Sequence, residues 1–433
     1  MFKIGCAEKM LEVPLFAELY GYGPFQGRRN QGILEPIYVR AFSFFDGEKR
    51  FLIFYSDTGS ISTDYAREFR SYFAEKYNLD PAGISFIATH THSAPTVGEC
   101  IAFGTPHPEF QKIWKEAIKE VGEKALAGEE EIVKAVTGQA PLTEKIGTNR
   151  IDPESNITDP AIRWVRFFKK DGSCKVIVHN HGTHGIACNG GLARMVSSDW
   201  MGGANAIIKE KGLCEMPLFL QGPAGDINSV KAFSNTDDRN IARTIGARYV
   251  AQMEKDFANG VEVPLGKFSF SLKTVVFPSI RQDAASLRKD AELFRQKDPN
   301  PMGFWGQIAF RLEEMAILEE TGIGVKDTEC ELQVVQLGEE FSFFFIPGEL
   351  FIKPGLEIMK NSKAKYPFLM NYANGSVGYI FTEEVSKRYP TIDSPAPKTF
   401  GYYELYGYMQ SLRFKFQDNV ADFVVETLKE MEK

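Results

Sequence analysis

"ISFIATHTHS", residues 84–93, is an apolar run that stops abruptly in polar residues, two of them histidines one residue apart. Five residues are too few for a helix and right for a buried strand, so the histidines fall where the strand gives way to its exit loop. The same design recurs three times: "VIVHNHGTH" at 176–184, "FLQGPAGDIN" at 219–228 and "FFFIPGE" at 343–349. Strands that end in polar, Gly-containing loops are the positions from which α/β folds present ligand-binding groups.

Working outward, "IYVRAFSFFDGEKRFLIFYSDTG" (37–59) reads as a hairpin around Asp46-Gly47, and "AIRWVRFFKKDGSCKVIVHNHG" (161–182) as a second hairpin-like pair. "TDYAREFRSYFAEKYN" (63–78) has the spacing of an amphipathic helix, and "HPEFQKIWKEAIKEVGEKALAG" (107–128) that of a long helix closed by Gly. Helical patterns fill about 281–320, strands return over 330–349, and the C-terminus closes with a helix. This alternation predicts an α/β fold of α+β character, a mixed sheet core with flanking helices in one domain over 1–433, with no internal repeat.

Composition narrows the function. A net charge of -7 and no clustered Lys/Arg argue against nucleic acid. No stretch has the length of a membrane span, and the N-terminus lacks a secretory signal. Six cysteines (Cys6, Cys100, Cys174, Cys188, Cys214, Cys330) without C-x-x-C pairs read as reduced thiols, which together predict a cytoplasmic protein. The 35 phenylalanines fill a core or line an apolar cleft, the core being the simpler reading.

All six histidines lie between positions 90 and 184. His90 and His92 share a face if the strand is regular, and His179, His181 and His184 form a second cluster. Imidazole is a common zinc ligand, and a catalytic zinc site takes three protein ligands, often with a carboxylate. Glu349, after an apolar run and a Pro-Gly turn, is the best-placed carboxylate. Asp57 and Asp199 are either partners that orient ligand histidines or ordinary strand-end caps.

Taken in order, "KIGCAE" (3–8), "GYG" (21–23), "THTHSAPT" (89–96), "NR" (149–150), "NHGTHG" (180–185), "GPAGDIN" (222–228), "IPGE" (346–349) and "GYIFTEE" (378–384) resemble the catalytic domain of the neutral/alkaline non-lysosomal ceramidase family, zinc-dependent amidases. The resemblance implies a Zn2+ ion held by His90, His181 and Glu349, with Tyr379 as a weaker fourth ligand. It implies that His92 faces the attacking water or the substrate carbonyl, that Arg150 contacts substrate, and that His92 or His184 carries the proton to the leaving amine. The expected reaction is hydrolysis of an amide bond in an N-acyl, lipid or ceramide-like small molecule by metal-activated water. Two departures stand out. Asn228 occupies the position of a family serine ("GDVSPN" against "GDINSV" here), so it can donate a hydrogen bond to an oxyanion but cannot be a nucleophile. The family's immunoglobulin-like domain and signal peptide have no counterpart, and the tail at 391–410 departs from the family pattern. A non-catalytic metal-binding relative, or a zinc hydrolase of another ester or amide, is the alternative.

Overall fold

The computed structural model describes the chain apart from residues 23–26, 99–102, 233, 235–236, 298, 302, 391–401 and 407–411. Cys100 and most of the divergent tail lie outside the described residues.

Strand Phe2–Met10 pairs antiparallel with Tyr38–Phe45, which pairs antiparallel with Arg50–Ser56, which pairs parallel with Ile84–Ala88. A short strand, Glu130–Ile132, returns beside the first. Helix Thr63–Tyr77 links the third and fourth strands, and Pro108–Ala127 links the fourth to the fifth. Local signals set these helices. Ser62 Oγ accepts the Tyr65 N–H at the first helix's start, Asn78 ends it in the left-handed region (φ 50°), and Pro108 opens the second.

The next segment builds the same unit again. Lys134–Pro141, Ala161–Phe168, Cys174–His181 and Met216–Gln221 repeat the antiparallel, antiparallel, parallel sequence, and Val261–Val263 returns beside the first. Helices Asp199–Glu210 and Ile241–Asp256 occupy the corresponding connections. A third pass, Phe268–Val276, Glu329–Leu337, Phe341–Phe345 and Tyr366–Met370, has the same pairing and puts helix Ile352–Asn361 between its third and fourth strands. Its first connection carries an inserted helical pair, Ala284–Lys297 and Phe304–Glu320. The architecture is therefore α/β with mixed sheets and flanking helices, as the pattern predicts. The topology repeats, however, where the sequence shows no repeat: hydrophobic alternation specifies each unit without requiring identical residues.

The three sheets meet through their fourth strands. Met216–Gln221 lies against both Ile84–Ala88 and Tyr366–Met370. The Ala88 N–H donates to Tyr372 O at 3.1 Å and the Asn371 N–H to Gln221 O at 2.9 Å, stitching the strand exits together. Away from these exits, Phe44, Phe51, Phe167, Phe268 and Phe343 from all three units surround an apolar space of about 20 Å³. Each buried aromatic of this kind contributes roughly 1.5–3 kcal/mol. Phenylalanines thus fill the core, in line with the simpler reading of the composition. Among the described residues no helix is long and apolar enough to cross a membrane.

Candidate metal centre

His90, His92, His184, Glu349 and Tyr372 all lie just beyond the third or fourth strand of a unit. The first fourth strand stops at Ala88, and His90 adopts a left-handed backbone (φ 61°). That conformation costs about 1–3 kcal/mol for a non-glycine residue and persists only where surrounding contacts impose it. Here the His90 ring stacks on Tyr372, centroids 3.8 Å apart and 9° from parallel, and Tyr372 is itself left-handed (φ 55°). His90 Nδ1 lies 2.6 Å from the Gly59 carbonyl. A carbonyl only accepts, so Nδ1 carries the proton and Nε2 presents a lone pair.

His184 follows the second unit's third strand. Its Nδ1 lies 3.0 Å from the Ile227 carbonyl, so its Nε2 is likewise a lone-pair donor, and that buried atom has no hydrogen-bond partner. Glu349 follows the third unit's third strand. Its Oε2 lies 3.5 Å from His90 Nε2 and 3.3 Å from His184 Nε2. His92 has the opposite tautomer. Its Nδ1 accepts the Tyr22 N–H at 3.2 Å, so its proton sits on Nε2, 3.1 Å from His90 Nε2. Gly21 (φ 93°) makes this approach possible, because a Cβ there would come within 2.4 Å of the His92 ring.

Burial holds His184 down at about 4 and pushes His92 well below the usual imidazole range, so both are neutral at physiological pH. Neutral imidazoles beside a carboxylate are the protonation states a cation site needs.

The donor set can be tested against zinc. The ligand atoms of His90, His92 and His184 lie within 4.8 Å of one another. A tetrahedron with arms of about 2.0–2.1 Å has edges of roughly 3.3–3.4 Å. The 3.3 and 3.5 Å separations of Glu349 from the two imidazoles match that edge, and the buried, unpartnered Nε2 of His184 gains a partner. The residues present fit the ion.

His181 is not brought to this cluster, which corrects the expectation that it is the second histidine ligand. Its Nδ1 lies 2.9 Å from the Ala161 carbonyl and 3.5 Å from Asp159 Oδ2, and its ring faces Trp200 and Tyr249. The cause is strand periodicity: Cys174–His181 is still extended at His181, so its side chain leaves on the same side as His179. His179 is fixed between Tyr249 OH at 3.1 Å and Asn205 Oδ1 at 3.0 Å.

Two short ladders bring in the rest. Ile227–Ser229 pairs with Gly147–Asn149, which sets Arg150 beside Asn228. Arg150 donates to Asn228 Oδ1 at 3.0 Å and to Gly225 O at 2.7 Å, and its Nε lies 2.9 Å from Glu404. Burial works against its charge, but Tyr379, Glu404 and Glu349 together raise its pKa, so it is a fixed cation. Glu349–Leu350 pairs in parallel with Tyr379–Ile380, which sets Tyr379 opposite Glu349, and the Arg150 guanidinium lies 5.4 Å from the Tyr379 ring centre. Asp226 acts structurally, accepting the Ile352 N–H at 2.7 Å and Asn149 Nδ2 at 2.9 Å. Asp57 and Asp199 are caps: Asp57 accepts from Tyr38 N and Tyr55 OH, Asp199 from the N–H groups of Ala187, Cys188 and Trp200.

Tyr372 and Glu404 are site residues that motif reading passes over. Tyr372 had a usable signal, since "YPFLMNY" (366–372) is another apolar strand ending in polar residues. Glu404 sits on a five-residue helix, Tyr402–Tyr406, in the divergent tail, and no pattern marks it.

Layered mixed sheets with histidines and a carboxylate gathered at the strand exits define a neutral ceramidase-like fold. The neutral ceramidase from Pseudomonas aeruginosa superposes with a TM-score of 0.74 over 100% of this chain and 74% of that one, at 16% identity. A ceramidase complexed with C2 gives 0.73 with the same coverage and identity. No protein-family model matches the chain, and no curated protein does.

Proposed function

We propose that the protein is a zinc-dependent hydrolase of amide bonds in N-acyl compounds, with lipid amides, including ceramide-like ones, the leading substrate class. The observation that carries this reading is the matched pair of tautomers at His90 and His184. Backbone carbonyls hold both Nδ1 protons, which turns both Nε2 lone pairs toward Glu349 in a buried site. His90, His184 and Glu349 would hold the ion, with Tyr379 at the margin. When bound, such an ion supplies Lewis acidity and lowers the pKa of water toward neutrality.

The surrounding residues have separable tasks. His92 keeps a proton on Nε2 and is the group that can donate a hydrogen bond to the substrate carbonyl as it is attacked. Arg150 keeps a fixed positive charge for the oxygen that becomes negative as the carbonyl is attacked. Asn228, its Oδ1 held by Arg150, has only its NH2 group to offer substrate. It cannot form an acyl-enzyme, so water is the nucleophile. Ser229, next on the same short strand, alternates to the other side and does not replace the missing hydroxyl. The fold of the ceramidase structures favours lipid amides over other amides. The test is turnover of a panel of N-acyl amines and matched esters by purified protein before and after chelation, with metal content measured in parallel. Zinc near one equivalent, and amide cleavage lost on chelation and restored by zinc, support the proposal. Ester-only turnover, or none in zinc-replete protein, overturns it.

A further inference from the structure

A second cavity, of about 450 Å³, opens between the first and second units, and none of the metal-centre residues lines it. Its lining joins one face of helix Asp199–Glu210 along its length, and the start of helix Ile241–Asp256, to the first unit's strands. Four cationic side chains converge on it: Arg40, Lys209, Arg239 and Arg243. Glu8, Glu35 and Glu210 are the opposing carboxylates. Glu8 pairs with both Arg40 and Lys209, and Glu210 with Arg243. Arg239 has no ion pair among the described residues, and the buried Arg40 has a terminal nitrogen, Nη1, without a hydrogen-bond partner. Glu35 hydrogen-bonds Ser197, and burial pushes its carboxyl up to about 7, which weakens its opposition to an anion. Leu34, Pro36 and Ala206 give the cavity an apolar side.

From this lining we infer a binding site for a small phosphate monoester: an anionic group taken by the arginines, with a short apolar body against Leu34 and Pro36. On a chain of net charge -7 the lining sets four cations against three carboxylates, with Arg239 outside the ion pairs of the others. Guanidinium groups recognise phosphate through charge-assisted bonds, and those already braced by carboxylates lose less freedom on binding. The site is distinct from the hydrolytic centre, although Ser197, bonded to Glu35, also donates its N–H to Ser93 O at 2.8 Å beside His92.

The experiment is calorimetric titration of the full chain with inorganic phosphate and phenyl phosphate, alongside sedimentation with phosphatidylcholine vesicles with and without phosphatidic acid. Arg239→Ala/Arg243→Ala is the comparison protein. Both side chains are exposed, so the variant folds, and circular dichroism checks that it does. Saturable phenyl phosphate binding, at least about tenfold weaker in the variant, supports a soluble phosphate monoester. Binding only to phosphatidic acid vesicles, lost in the variant, assigns the same chemistry to a lipid headgroup. No binding to any probe, or binding equal in both proteins, overturns the inference.

Discussion

The two histidine-bearing strand exits, 88–93 and 179–184, look alike on the page and behave differently in the fold. In the first, the strand has ended before His90, and a left-handed turn throws both imidazoles into one place. In the second, the strand persists through His181, so His179 and His181 face the covering helices, and only His184, released from the pleat, joins the cluster. An alternating histidine pair therefore converges on a site only where regular backbone has stopped.

The sharpest way to break this contrast is to exchange alanine between the two exits. On the proposed function, His184→Ala removes one of three strong donors, so zinc is expected to be lost on dialysis and amide turnover to fall by about a thousandfold or more. His181→Ala keeps its zinc and most of its turnover per folded molecule. It is less stable by about 2–4 kcal/mol, because it leaves a cavity and strips a partner from the buried Asp159. Atomic emission and denaturant unfolding read the two effects separately. Loss of zinc in His181→Ala with retention in His184→Ala would reverse the assignment.

A smaller effect tests whether the residues around the exits act on charge rather than on the metal. Arg150→Ala lowers kcat by about a hundredfold to a thousandfold, the range for losing one oxyanion-stabilising group, while zinc content stays at the wild-type level. A parallel loss of zinc would make Arg150 part of the metal's support instead.

Much of the fold was legible. Both hairpins, the strand ending at Ala88, the helices of residues 63–128 and the late helical pair follow from alternation, turn residues and caps, which are local properties. The threefold reuse of one unit was not, because each unit is written in different side chains and only pairing reveals it. At the site, His90 and Glu349 were legible as strand-exit groups, while the choice between His181 and His184 depends on where an extended run ends. Element boundaries are what sequence patterns fix least well. Tyr372 shows the same limit from the other side, since its role comes from a long-range stack on His90. Tyr372→Leu weakens zinc affinity by about 10–100-fold, as removal of support behind a ligand does, whereas Tyr372→Phe, which keeps the stack and loses only a 3.4 Å contact to Glu349, stays close to wild type. Equal losses in the two variants would assign the effect to the hydroxyl.

A last test concerns the other histidine that the second exit turns toward the covering helices, His179. Burial holds His179 at about 3, against roughly 6.5 in an unfolded chain. Between those values the unfolded chain binds a proton that the folded chain refuses, so lowering the pH through this window favours unfolding. The His179 contribution is up to about 1.4 kcal/mol per pH unit and vanishes above 6.5, where both states are neutral. His179→Gln keeps a polar group near Tyr249 and Asn205 but cannot titrate. Its unfolding free energy, measured in urea on metal-free protein between pH 7 and pH 4.5, should fall less steeply than that of wild type, with the two curves parallel above pH 7. Identical slopes throughout would mean that His179 takes up its proton within the fold, and that the helix-facing side of this exit is wetter than its hydrogen bonds to Tyr249 and Asn205 imply.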